Sequence, residues 1–421
     1  MDWTIQGVIE LGCWIGHFPH RWPTGHDAED CINAHTDCNI RHLVWELGRS
    51  VLTYHSDLPG ATCKGFLDEG LIGGAQGRAV QAIYRERCQL RAALQYAREH
   101  PEGPCTVYGR LSMNRHYSPG APHRGQFAQN HPQLLEVHRD GTLDVTRICY
   151  AAPEYRRERV AILMEAAEIG CEGLCLDFCR QPPAARYHPL LVNAWRERTG
   201  RDPRELTLSA DRDEFLAWCT FRAAAVTELL VELKAELDPL RERYDRAIPV
   251  QVRIPNDGIE ANLICGFAVE EWCRRGLIGE IALSELRWIE EYQQWDDEPY
   301  LALGREHGIP VYAGNNCLPT QHSGWSGECN PRGVNPWVMA KRALDAHEAG
   351  AAGVCVYQSD LGVQWPGQIE ALTTFADPEA LRAFVEDPGV RALYPVTDEN
   401  RTFGIDNHSS PPGRFISADE L

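Results

Sequence analysis

The sequence predicts an α/β protein, a closed (β/α)8 TIM barrel with long βα loops gathered over the C-terminal face. Three observations predict it. Eight short apolar runs recur along the 421 residues, each followed by polar or glycine-rich residues. Helix-patterned segments separate most of them. No long linker divides the chain. Short continuous apolar runs suit parallel strands buried on both faces, and repeated β-then-α units are the pattern of the closed barrel. The competing architecture is an open doubly wound sheet. No GxGxxG follows the first run, which argues against a dinucleotide fold. Residues 1–400 read as the barrel. Residues 401–421, with Ser409-Ser410-Pro411-Pro412-Gly413, read as a surface tail.

The first run is Val8 to Leu11 and the second His42 to Glu46. Then come Thr106 to Leu111, Gly173 to Phe178, Pro249 to Arg253, Glu280 to Ser284, Pro310 to Ala313 and Gly353 to Tyr357. Apolar residues at helical spacing predict helices over 78–99, 155–169, 212–237, 269–275, 297–307 and 336–349. Glu168-Ile169-Gly170 and Glu348-Ala349-Gly350 read as helix C-caps feeding a strand, since glycine accepts left-handed backbone. Three connections, Gly12–Asn39, Asn114–Ala152 and Asn315–Asn335, are too long for ordinary βα loops. Long loops inside a compact domain are usually functional, and these fall where barrel enzymes build their sites.

A formal net charge of −19 sets up a field that opposes DNA, RNA and anionic membranes. No run of 18 apolar residues offers a transmembrane helix. Met1-Asp2-Trp3-Thr4 has neither the basic nor the apolar region of a signal peptide. Sixteen cysteines include no CxxC pair, so zinc-ribbon and thioredoxin chemistry find no support. Several, such as Cys175 and Cys355, sit in apolar runs as small hydrophobes. These features predict reduced thiols and a cytoplasmic protein. His17 and His20, three apart on a proline-containing loop, are a weak metal motif. No metal and no organic cofactor are expected.

Side chains at strand C-terminal ends enter the mouth of a barrel. That places Glu10, Glu46, Asn114 with Arg115 and His116, Asp177 with Arg180, Arg253 with Asn256 and Asp257, Glu285, Asn315 with Asn316, and Gln358 with Asp360 around one cup. Sugar hydroxyls both donate and accept, so carboxylates, amides and guanidinium groups satisfy them. A carbohydrate partner is therefore expected. Trp14, Trp22 and Trp325, three of twelve tryptophans, lie in long loops where an indole face can stack on a pyranose. Asp177 ends an apolar strand abruptly, and a carboxylate there needs a partner such as Arg180 or Arg253. Its structural alternative is a loop-capping Asp. Glycosidic cleavage needs two carboxyl groups across the scissile bond, one of them an acid with a raised pKa. Glu285, just past the sixth run, is the partner by position, although an acidic residue there also suits a helix start. Asp257 and Asp360 are the reserves. His116 can bind a hydroxyl or modulate a carboxylate.

The segments Arg110 to Tyr117 (RLSMNRHY), Gln126 to Pro132 (QFAQNHP), Leu143-Asp144-Val145, Tyr150 to Tyr155 (YAAPEY), Glu172 to Arg180 (EGLCLDFCR) and Phe267 to Gly279 (FAVEEWCRRGLIG) occur in one order. Together they resemble the bacterial family 10 glycosylhydrolase-like barrel proteins, over about residues 5–370. The resemblance implies a glycosidase-like barrel and carries Asp177 and Arg180 over by motif position. It does not fix the second carboxyl, so Glu285 rests on strand position. On this reading Asp177 is nucleophile or base, Glu285 is the acid, and Arg180, Arg253, Asn114 and His116 bind substrate. Two other readings stay open: a metal-assisted lyase or isomerase of a sugar acid, and a barrel that binds glycan without cleaving it.

Overall fold

The computed structural model describes residues 3–16, 23–67, 74–114, 125–179, 183–284, 286–287, 289, 291–292, 296–317, 334–396, 405–406 and 417–421. Eight parallel strands close into a barrel: β1 (Thr4–Ile9), β2 (His42–Gly48), β3 (Thr106–Ser112), β4 (Gly173–Asp177), β5 (Val250–Pro255), β6 (Glu280–Ser284), β7 (Val311–Asn316) and β8 (Gly353–Tyr357). Their order around the ring is their order along the chain, and β8 pairs back onto β1. The predicted (β/α)8 fold is the one formed.

Differences of detail have local causes. β1 begins at Thr4, ahead of the predicted run, because the polar Gln6 is an interior residue that breaks the apolar pattern; Leu11 instead opens the helix Leu11–Gly16. The helix expected over 78–99 is two, Gly74–Glu86 and Gln89–Arg98. The helix expected over 212–237 continues past Pro239 to Tyr244. Both predicted C-caps hold, with φ of +123° at Gly170 and +83° at Gly350. Two of the three long connections hold regular elements, and residues 318–333 of the third lie outside the described residues. Gly12–Asn39 holds the helix Asp27–Asp37, and Asn114–Ala152 holds the helix Gln126–Asn130 and a hairpin of Leu135–Val137 with Leu143–Ile148. Of residues 401–421, only 405–406 and 417–421 are among the described residues. Ala418 and Leu421 are buried, and the buried Arg222 donates to the Leu421 oxygen at 2.6 Å.

The period of two along each strand sorts side chains between the barrel interior and the helical layer. The interior has three levels. At the N-terminal end lie Gln6, His42, Tyr108, Gln251, Glu280 and Tyr312. Tyr108 donates to Glu280 at 2.8 Å, and the Gln251 amide donates to Gln6 and to Glu280, each at 2.9 Å. Burial pushes the Glu280 carboxyl up and the His42 imidazole down to about 4. The middle level mixes Val8, Val44, Cys175, Ala282 and Cys355 with Arg110 and Arg253. The top level opens toward the C-terminal mouth.

The seam between β8 and β1 depends on a residue without a side chain. Gly353 pairs with Thr4, and a Cβ at Gly353 would lie 1.7 Å from the Thr4 carbonyl oxygen. Gly353→Ala is expected to cost about 3 kcal/mol or more by forcing the seam apart. The measurement is the urea midpoint, read at constant m-value.

One helical contact reports pH. His35 is buried, with Nδ1 2.7 Å from the Cys31 carbonyl oxygen and Nε2 2.8 Å from Ser359 Oγ. Burial lowers it, like His42, to about 4. The unfolded chain takes up these protons at about pH 6.5 while the folded chain resists until about pH 4, so their contribution to stability declines as pH falls through that window. His35→Gln is therefore expected to lose less stability than the parent between those pH values, measured by urea unfolding at each pH.

Candidate active site

β3 carries a charged residue within its buried stretch. Arg110 is 3% exposed, and its guanidinium spans two carboxylates. Nη1 donates to Asp177 Oδ2 at 2.6 Å and Nη2 donates to Glu10 Oε1 at 2.8 Å. From β5, Arg253 donates to Asp177 Oδ1 at 3.1 Å and to Ser284 Oγ. Its guanidinium lies 4.3 Å from the centre of the Tyr357 ring, and the Tyr357 hydroxyl donates to Glu10 at 3.5 Å. Asp177, Arg110, Glu10, Tyr357 and Arg253 thus form a closed circuit from β4, β3, β1, β8 and β5. The Cys179 N–H completes the Asp177 shell at 2.9 Å.

The circuit fixes charge unevenly. Burial alone would raise the Asp177 carboxyl, but Arg253 and Arg110 outweigh it and hold it below the usual aspartate value. Glu46 stands in the opposite situation. Ile9 pairs with Trp45, so Glu10 and Glu46 leave adjacent strands side by side. Burial and then the Glu10 charge raise the Glu46 carboxyl, as expected for neighbouring carboxylates that cannot both ionise cheaply. Asp360 is fully buried, and burial followed by Glu10 raises its carboxyl too. The mouth therefore holds one carboxyl shifted down and two shifted up, environments that push titratable groups apart as acid–base chemistry requires.

The remaining sequence expectations sort by direction. Asn114 is buried and donates to the Phe178 carbonyl at 2.6 Å, bracing the β4 end that carries Asp177. Asn256 is buried and donates to Asp297 at 2.8 Å. Asn315 turns outward and donates to the Met339 carbonyl of the helix Pro336–Glu348 at 3.0 Å. Its neighbour Asn316 takes the interior side, 1% exposed, and its amide makes no hydrogen bond to a described residue. Gln358 adopts left-handed backbone with φ +54° and opens the turn Ser359–Gly362. Trp14 is 1% exposed and belongs to the core; a ring with no free face cannot serve as a sugar platform. Asp257 is buried near Tyr300. Glu285, Arg115, His116, Arg180, Trp325, Trp22, His17 and His20 lie outside the described residues.

Sequence reasoning missed Arg110, Tyr357 and Ser284. Their signal was available in the strand alternation: Arg110 lies four residues after Thr106, in phase with Tyr108 and Ser112, so it had to face the barrel interior. Among the described residues, no three His, Cys, Asp or Glu side chains gather as a metal site requires. No described helix is long and apolar enough to cross a membrane. Two surface clefts, of about 450 and 600 Å³, contain none of the circuit residues.

The chain is a closed parallel (β/α)8 TIM barrel with carboxylates and guanidinium groups at its C-terminal mouth. Solved structures share that architecture. The chain is similar to α-L-fucosidase isoenzyme 2 from Paenibacillus thiaminolyticus, with a TM-score of 0.53, 14% identity, and coverage of 92% of this chain and 51% of that one. It is similar to the β-galactosidase of the psychrophilic Marinomonas ef1, with a TM-score of 0.51, 13% identity, and coverage of 90% and 61%. For the β-galactosidase of Rahnella sp. R3 the TM-score is 0.50, with 13% identity and coverage of 90% and 57%. The chain spans between half and two thirds of the length of these structures, and the likeness is one of fold. No protein-family model and no curated protein matches the sequence; the family 10 resemblance stands on its motifs alone.

Proposed function

We propose that this chain is a glycoside hydrolase in which Asp177 is the nucleophile or base and Glu46 the general acid. The observation that carries the proposal is the Arg110 bridge. One guanidinium holds Asp177 and Glu10, and Glu46 stands beside Glu10. Both hydrogen bonds run to the same guanidinium, so Asp177 and Glu10 face each other across it, with Glu46 on the neighbouring strand beside Glu10.

The chemistry follows from the two environments. Glu46, whose carboxyl burial and then Glu10 shift upward, delivers its proton to the glycosidic oxygen as that bond breaks. Asp177, kept ionised by Arg253 and Arg110, attacks the anomeric carbon or removes a proton from the water that does so. The inward amide of Asn316 and the Tyr357 hydroxyl are suited to sugar hydroxyls. Glu285 competes with Glu46 for the acid role on the strength of its strand position. The test is a panel of aryl glycosides and natural oligosaccharides, assayed with parent and Asp177→Asn protein in parallel. Cleavage by the parent alone supports the proposal; equal cleavage by both overturns the assignment.

A further inference from the structure

We propose that Arg110 is a positioning residue of this site: it bridges Glu10 and Asp177, fixes the spacing of those two carboxylates, and leaves Glu46 as the mouth carboxyl that meets the glycosidic oxygen. The kinetic part rests on the hydrolase reading; the bridge itself does not. Arg110 is 3% exposed, and both terminal nitrogens are already committed at 2.6 and 2.8 Å. It therefore acts through the carboxylates rather than on substrate. Glu46 pairs in register with Arg110 on β2 and β3, yet the guanidinium reaches past it to Glu10 and Asp177. Burial and then Glu10, the carboxyl that Arg110 holds in place, raise the Glu46 carboxyl against a smaller opposing pull from Arg110 itself.

The groups around each carboxyl are known. Glu46 is faced by Glu10 beyond β1, Arg110 on β3, and Arg49 and Lys64 from the segment after β2, with Cys13 and Tyr84 close by. Asp177 is faced by Arg110, Arg253, Cys175 and Cys179. Lysine cannot reproduce the bridge, because a point ammonium lacks the planar fork that serves two acceptors at once.

The experiment compares Arg110→Lys and Arg110→Met with the parent on a cleaved glycoside. Lys keeps the charge, so it serves as the folding control if Met is unstable. Both are expected to lower kcat by about 100-fold or more with KM within about threefold. The acid limb of the kcat/KM profile is expected to move up by about one pH unit in Arg110→Met, because Asp177 loses a cation that keeps it ionised. A loss confined to KM, or an unmoved acid limb in a folded Arg110→Met protein, overturns the proposal. A second arm needs no turnover. Part of the parent's urea stability is lost as pH falls from about 4, where an unfolded Asp titrates, through the lower pKa of folded Asp177; in Arg110→Met that pKa shifts up, so this acid-dependent loss is expected to be smaller. If the parent cleaves no glycoside but this difference is present, the hydrolase reading fails and the bridge stands. If the difference is absent, the bridge fails.

Discussion

Asp177→Asn is expected to lower kcat/KM by about 1,000-fold or more, the scale seen when a nucleophile or its equivalent is removed. The amide keeps the shape of the carboxyl but cannot attack carbon or take a proton. It also leaves Arg110 and Arg253 converging on a neutral group. Breaking a buried ion pair by removing one partner costs about 3–5 kcal/mol, so thermal unfolding has to be measured beside activity. A folded protein without activity is the expected result. Substituting Ala and adding azide separates the two roles of Asp177. If the parent retains anomeric configuration, a glycosyl azide of inverted configuration identifies a nucleophile, since the small anion attacks from the space of the missing carboxylate. Full activity in a folded Asp177→Asn protein would remove Asp177 from the chemistry.

Glu46→Gln is expected to have the second largest effect, about 100-fold or more in kcat on substrates with poor leaving groups. Aryl glycosides with acidic phenols, which leave without protonation, are expected to be largely spared. The pH dependence gives the sign. A general acid works while it holds its proton, and burial with Glu10 keeps that proton on Glu46 above the usual glutamate value. Activity of the parent therefore falls as pH rises through the raised Glu46 pKa, and Glu46→Gln removes that alkaline limb. The matching variant Glu285→Gln decides between the two candidates. If it removes the limb and Glu46→Gln does not, the acid lies beyond β6.

The barrel was legible because each strand is buried on both faces and so reads as an apolar run. The polar interior was harder. Gln6 shifted the apparent start of β1, since an interior glutamine looks like a strand end. Asp177 stood out as a charge that stops an apolar run, whereas Arg110 was absorbed into its strand because apolar or small neighbours continue past it on the other face. Asn315 and Asn316 show how fine the distinction is: one residue of phase sends the first amide to a helix carbonyl and the second into the mouth. Trp14 was misjudged for another reason. Its segment was read as loop, but Leu11–Gly16 is a helix that packs the indole inward. Contacts between strands far apart in sequence, such as Arg110 with Glu10 and Arg253 with Tyr357, leave no trace in a single sequence.

The floor of the barrel bears on how eight such strands find one arrangement. Ridges of Val, Leu and Ile are interchangeable enough that a strand slid by two residues still buries them. The amides of Gln6 and Gln251, the phenol of Tyr108 and the carboxyl of Glu280 are not interchangeable. Sliding one of those strands strands a buried donor or acceptor without its mate, a penalty of about 1–3 kcal/mol for each neutral group. The ring is thus keyed from beneath, and the geometry of the opposite rim, ångström by ångström, inherits that alignment.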